Sequence, residues 1–215
     1  MTTNRDRRPG VRKTAGLIVE GDTEFAALPL LHTKKRVPQC PPLRAINLGG
    51  VGSHLEPIGI AKMVKPKVLQ HMVAKRSPII VCIDREQRTI GADKLASDIF
   101  QALKSLLDAE NRSSVGVHVA IADRTFEAWI LADARGLHKR RVFQHAPTFH
   151  KFEGEMGKNQ KKGLVELGEL LGRPYGKTTD GPRLFEQVSI SEARKYGPKV
   201  HGSRSLDNFL RMLGV

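Results

Sequence analysis

Apolar and polar residues fall in blocks along the chain, and their spacing changes from block to block. Ala15-Gly16-Leu17-Ile18-Val19 is an uninterrupted apolar run, the pattern of a strand buried on both faces. It stops at Glu20-Gly21, and Asp22 is placed to cap a helix to about Lys35, interrupted at Pro29. Leu43–Leu48 predicts a second strand, broken by Gly49-Gly50-Val51-Gly52. From Ser53 to Arg76, apolar residues recur at helical spacing (Ile58, Met63, Val64, Val68, Leu69, Met72, Val73). Pro57 and Pro66 predict two helical pieces there rather than one. Pro78–Ile83 predicts a third strand, ending in Asp84-Arg85-Glu86. Leu95, Ile99, Leu103, Leu106 and Leu107 predict an amphipathic helix over 92–110. Val115–Ile121 predicts a fourth strand ending at Asp123, and Thr125–Ala134 a short helix.

Strand and helix thus alternate four times, which predicts an α/β fold: a Rossmann-like, mostly parallel sheet of about four strands with helices on both faces. From about residue 136 the pattern changes. Gly, Pro, His and Lys dominate to Lys162, and short helices are predicted at 161–172, 189–196 and 203–213. The expected organisation is a basic arm over 1–13, an α/β domain over 14–135 and a basic helical extension over 136–215, packed on the same sheet.

Composition narrows the chemistry. With 40% hydrophobic residues, the chain of 215 residues is not disordered as a whole. No apolar run reaches the roughly 18 residues of a membrane span, and no secretory apolar region follows the basic N-terminus. A cytoplasmic protein with no membrane partner is expected. Cys40 and Cys82 form no CxxC spacing, which predicts reduced thiols. The 36 Lys and Arg against 22 Asp and Glu give a net charge of +14, shared equally between residues 1–123 and 124–215. Such a surplus favours a polyanionic partner, nucleic acid first. Aromatics are only 5%, so phosphate contact is favoured over base stacking.

The minority charge is the more informative one. Ligands of open parallel sheets bind outside the carboxyl ends of the strands, and three of the four predicted strands end in acids: Glu20, Asp84 with Glu86, and Asp123. Glu24 lies one helical turn after Glu20, and Asp84 and Glu86, two apart, share one side if the chain stays extended. Single acids in such turns commonly cap helices. A converging set repels itself unless a cation neutralises it, and hard oxygen ligands suit Mg²⁺ or Mn²⁺. A divalent ion in a basic protein is what phosphodiester hydrolysis requires.

Leu17-Ile18-Val19-Glu20-Gly21-Asp22-Thr23-Glu24 resembles the opening strand and Glu-Gly turn of TOPRIM (topoisomerase–primase) domains, nearest to the overcoming-lysogenization-defect nucleases with their Glu-x-x-x-Glu pair. Asp84-Arg85-Glu86 stands where that fold carries an Asp-x-Asp metal motif. Phe126–Asp133 resembles a Glu-x-Trp-x-Leu stretch of a small TOPRIM-like family of unknown function and of RloB proteins, and Tyr175-Gly176-Lys177 with the 203–213 helix extends the likeness. The resemblance implies Glu20 as acid/base or metal-binding glutamate, Glu24 as a second ligand and Asp84 as the principal one, with Glu86 in the place of the second aspartate. It makes Asp123 and Glu127 candidates for a second metal or for positioning the first, and Lys177 the cation facing the pentavalent phosphate. It implies a metal-dependent nuclease of prokaryotic anti-phage defence, beside a separately encoded ATPase, and is compatible with a homo-oligomer. A non-catalytic nucleic-acid-binding or regulatory subunit is the alternative, for which Glu86 in place of Asp is the best support.

Gly49-Gly50-Val51-Gly52-Ser53 lacks the Gly-Lys-Ser/Thr of a Walker loop and reads as a turn. His138, His145 and His150 are spaced too widely for a zinc signature, and Trp129 reads as core. Arg85 and Arg88 beside the acids, Lys139-Arg140-Arg141, Lys158 with Lys161-Lys162, and Arg5, Arg7 and Arg8 are the candidates to follow a nucleic-acid backbone.

Overall fold

The computed structural model describes residues 13–33, 37–148, 152–154, 162–197 and 200–215. Most of the expected basic arm, His150, Lys158 and Lys161 lie outside the described residues. Four strands, β1 (Ala15–Val19), β2 (Leu43–Asn47), β3 (Ile79–Asp84) and β4 (Val117–Ala122), form one parallel sheet in the order β2-β1-β3-β4. The α/β expectation holds. The helix expected after β1 is split, as Pro29 predicts, into α1 (Asp22–Ala27) and α2 (Leu30–Thr33).

The helix expected in two pieces is a single one, α3 (Pro57–Val73). Pro57 sits in its first turn, where the missing N–H has no helical partner anyway. Pro66 removes an interior bond at an exposed position, while buried Ile60, Val64, Val68 and His71 hold both halves on the sheet. The amphipathic pattern after β3 forms α4 (Ala92–Asp108), with Leu95, Ile99, Leu103 and Leu107 buried.

Alternation along the strands sorts the core into two layers. Ile18, Val81, Ile83, Val119 and Ile121 face α3 and α4. Leu17, Val19, Ile80, Cys82, Ala120 and Ala122 face the other way, towards α1 and the helices that follow β4. Those are α5 (Glu127–Leu131), α6 (Ala134–Lys139), α7 (Gly163–Leu171), α8 (Lys177–Gln187), α9 (Ile190–Ala193) and α10 (Arg204–Met212). The C-terminal helices therefore supply the second face of the sheet. Trp129 is fully buried between Phe126 and Phe209, and its Nε1 donates to Ser205 Oγ at 2.7 Å. Both cysteines are buried thiols outside any disulfide. No helix among the described residues is long and apolar enough to cross a membrane.

The short helix α8 has no counterpart in the sequence reading. Lys177-Thr-Thr-Asp-Gly-Pro gives no apolar period before Leu184 and Phe185, and Pro182 argues against a helix. Its start is held by Asp180, whose carboxylate accepts the Gly176 N–H at 2.9 Å and takes two bonds from Arg173. Those bonds hold the Asp180 carboxyl down at about 2.

His71 locks α3 to β1. Its Nδ1 faces Arg76 Nη1 at 2.9 Å, which can only donate, so Nε2 carries the proton and donates to Leu17 O at 3.2 Å. Burial and Arg76 favour this neutral ring. The imidazole lies where a side chain at Gly16 would begin: a Cβ there meets the ring at 2.6 Å. Gly16→Ala is expected to cost about 1–3 kcal/mol in denaturant unfolding by overpacking, and less in a His71→Ala background; an unchanged midpoint in the native background contradicts this packing.

Candidate functional site

The chain runs from β1 outward to β2, then crosses back past β1 to β3, so the order of strands reverses between β1 and β3. At such a reversal the connecting segments leave on opposite faces and a crevice opens at the carboxyl ends. Glu20 follows β1 and Asp84 closes β3, one on each side of that crevice. The Glu20 side chain spans it. Oε2 accepts the Asp84 N–H at 3.0 Å, and Oε1 accepts the Val51 N–H at 3.1 Å from the glycine-rich loop after β2. The Gly50 N–H also donates to Glu20 O at 2.8 Å. That loop is the turn the sequence predicts, and its use is to hold Glu20.

Asp84 continues the alternation of Ile80 and Cys82, so its carboxylate lies on the face covered by α1 and α5. There Glu24 of α1 and Glu127, the first residue of α5, stand near enough to repel it. Glu24, Asp84 and Glu127 are all buried, and Glu127 is only 2% exposed. Burial pushes the Asp84 carboxyl well above its usual range, and Glu24, Glu127 and Glu20 push further, against some relief from the Phe126 N–H. Glu24 is raised by burial and by Glu127 and Glu20; Lys177, at the start of α8, pulls it back. Glu20 is raised by burial, with the Asp84 and Val51 amides and Arg88 opposing and Glu86 adding. Glu20, Glu24, Asp84, Glu127 and Lys177 thus act on one another at one rim.

Other candidates lie elsewhere. Asp123 is turned away: its Oδ1 pairs with Arg85 Nε at 2.8 Å and its Oδ2 accepts the Gly154 N–H at 2.8 Å. Arg85 is buried in that pair and is not a free phosphate contact. The expected extension of the chain through Glu86 fails, because Glu86 has φ +51° and the backbone turns before it. Glu86 acts on Glu20 but is no second arm of an Asp84 motif. Arg88 is spent on the carbonyls of Asp84, Arg85 and Gly52, and Arg140 on Asp133 and Gln187 O. Lys139, Arg141 and Lys162 are exposed, and Lys161 lies outside the described residues.

Tyr175 is the site residue that sequence reasoning left without a role. Its hydroxyl faces Glu127; burial first, then Glu127, Asp180 and Glu24, hold its proton firmly. The only prior signal is its place in Tyr175-Gly176-Lys177, because the segment is aperiodic. Glycine at 181 makes room for it: a Cβ there would lie 2.8 Å from the Tyr175 hydroxyl and 2.4 Å from Thr23 Cγ2, beside Glu24. Gly163 performs the same service against Glu127 Cβ at 3.0 Å.

Among the described residues, no three Asp, Glu, His or Cys side chains stand ready in ligating geometry. The donor types nevertheless fit a hard divalent cation: buried or half-buried carboxylates at the crevice of the sheet, with Glu20, Glu24 and Asp84 raised first by burial and then by neighbouring carboxylates.

A family model described as a domain of unknown function, DUF4276, matches residues 19–202. The chain belongs to that family. The DUF4276 match takes in Glu20, Glu24, Asp84, Glu127, Tyr175 and Lys177. No curated protein and no solved structure matches the chain.

Because folding raises the Glu20, Glu24 and Asp84 carboxyls, the native state keeps protons that the unfolded chain has released. Their contribution to stability is whole below the unfolded carboxyl range, near about pH 4, and is lost as pH rises through the native values. Asp84→Asn removes the charge and keeps the shape. It is expected to raise the melting temperature at pH 8 by roughly 2–6 °C and to leave it nearly unchanged at pH 4. An equal loss of stability at both pH values contradicts the burden of charge.

Proposed function

We propose that this DUF4276 chain is a Mg²⁺- or Mn²⁺-dependent nuclease of TOPRIM-like type, hydrolysing phosphodiester bonds in DNA or RNA. The observation that carries the reading is the meeting of Glu20, Glu24, Asp84 and Glu127 at the strand-order reversal of a chain whose net charge is +14. Asp84, Glu24 and Glu127 are the residues that would hold the ion, and Glu20 borders it. When bound, the ion supplies a deprotonated water and neutralises the charge of the phosphoryl group.

The chain's own residues do the rest. Two backbone amides fix Glu20 and leave each of its oxygens a second lone pair, so it accepts the proton of an attacking water from a set position. Lys177 brings a cation to the same rim, where the phosphate becomes more negative. Tyr175, half-buried, sets its hydroxyl beside Glu127. Lys139, Arg141 and Lys162 offer exposed charge to the flanking phosphates. The resemblance to defence nucleases supports, as part of the proposal, a role in anti-phage immunity beside a separately encoded ATPase.

A binding protein without catalysis draws on a different observation: both Glu20 oxygens already serve backbone amides, and no ligand trio stands ready among the described residues. One assay separates the two. Purified protein is expected to cut plasmid, single-stranded DNA or tRNA with Mn²⁺ and not with EDTA, and Glu20→Gln and Asp84→Asn each to lower the rate by about 100-fold or more. Binding that weakens with salt by a log–log slope of about −0.9 per phosphate on duplex DNA, without cleavage in any metal, contradicts the nuclease and favours the binding protein.

A further inference from the structure

The opposite pole of the sheet carries a second charged feature that the carboxylate centre does not use. At the amino ends of β3 and β4, the loops that follow α3 and α4 border an open, shallow pocket of about 410 Å³. Lys75, Arg76 and Arg112 line it, and no Asp or Glu does among the described residues. The nearest acids in sequence are engaged elsewhere: Asp108 with Lys104 and Glu110 with Lys65. Arg76 gives Nη1 to His71, and Lys75 and Arg112 have no carboxylate partner among the described residues.

Cations near helix C-termini often serve only the helix dipoles, and α3 and α4 both end here. Each dipole amounts to about half a negative charge, so the two offset about one of the three cations and leave a surplus. A larger cavity beside α10 behaves differently: Arg85, Lys94 and Arg204 line it together with Asp93, Asp123 and Glu153, so its charge is balanced from within.

We propose that the pocket at the amino ends of β3 and β4 binds a small organic phosphate of nucleotide size. Three cations with the hydroxyls of Ser77 and Ser113 supply donors for a phosphate or diphosphate. Met72 and Val115 supply an apolar wall, which a phosphodiester track does not need and a nucleoside does. The volume lies within the range of small-molecule sites. The site is independent of the carboxylate centre, since it sits at the other end of the strands.

Amide shifts of ¹⁵N-labelled protein, titrated with pyrophosphate and with ADP, test the proposal. Both probes are expected to move the Ser77, Ser113 and Gly116 amides saturably. Lys75→Ala/Arg112→Ala should weaken both by about 10-fold or more, as the loss of two charge-assisted bonds requires. Asp84→Asn, and the control Lys62→Ala/Arg135→Ala at exposed positions outside the lining, should leave binding within about 2-fold. The unfolding midpoint without ligand checks that each variant folds. Shifts that do not saturate, equal weakening by both charge-removing pairs, or movement of these amides by duplex DNA but not by pyrophosphate or ADP would overturn the assignment.

Discussion

Glu20, Glu24, Asp84 and Glu127 cannot all be ionised in one buried rim without opposing one another, and the surrounding fold is built against that repulsion. The apolar strands bring Asp84 to the crevice whatever its charge, because Ile80 and Cys82 of the same face are locked in the core. Two backbone amides restrain Glu20. The helices after β4 close the second face and carry Glu127, Tyr175 and Lys177 to the rim. Without those helices, half the sheet would be bare and Asp84 would face water, where its carboxyl has no reason to be raised.

Stability and function pull in opposite directions here. A centre whose carboxyls hold their protons more tightly than the unfolded chain does weakens the fold as those protons leave, and anything that binds the ionised form returns the loss. A divalent cation at 100 times its dissociation constant would return about 2.7 kcal/mol. The basic surplus of +14 cannot do this from a distance, since exposed charges beyond a Debye length of about 8–10 Å are screened. Lys177 is close enough to act on Glu24. Charge surplus and charge cluster are therefore complementary: one suits a polyanion, the other a cation between polyanion and protein.

The parts of this arrangement that sequence reading reached are those written in local pattern. Buried parallel strands are uninterrupted apolar runs, so β1 and β3 and the acids that close them stand out. Glu24 and Glu127 follow from helical spacing and from the likeness around Trp129. What stayed hidden depends on geometry between distant segments. Asp123 and Arg85 pair because β3 and β4 end side by side, and neither residue alone signals that the pair removes both from the rim. Glu86 leaves the motif through a single positive φ. Pro66 and Pro182 both sit inside helices because tertiary burial outweighs the lost backbone bond. Tyr175 lies in a segment with no period to read, and only the packing of α8 on α1 gives it a place.

The central claim is that the Asp84 rim is a cation site. Anomalous diffraction from crystals soaked in Mn²⁺ tests it most directly. The account predicts a peak bounded by Asp84, Glu24 and Glu127 with carboxylate oxygens at about 2.0–2.3 Å, absent in Asp84→Asn. Saturating Mn²⁺ with no peak at this rim, in crystals that diffract well enough to order all four carboxylates, would contradict it.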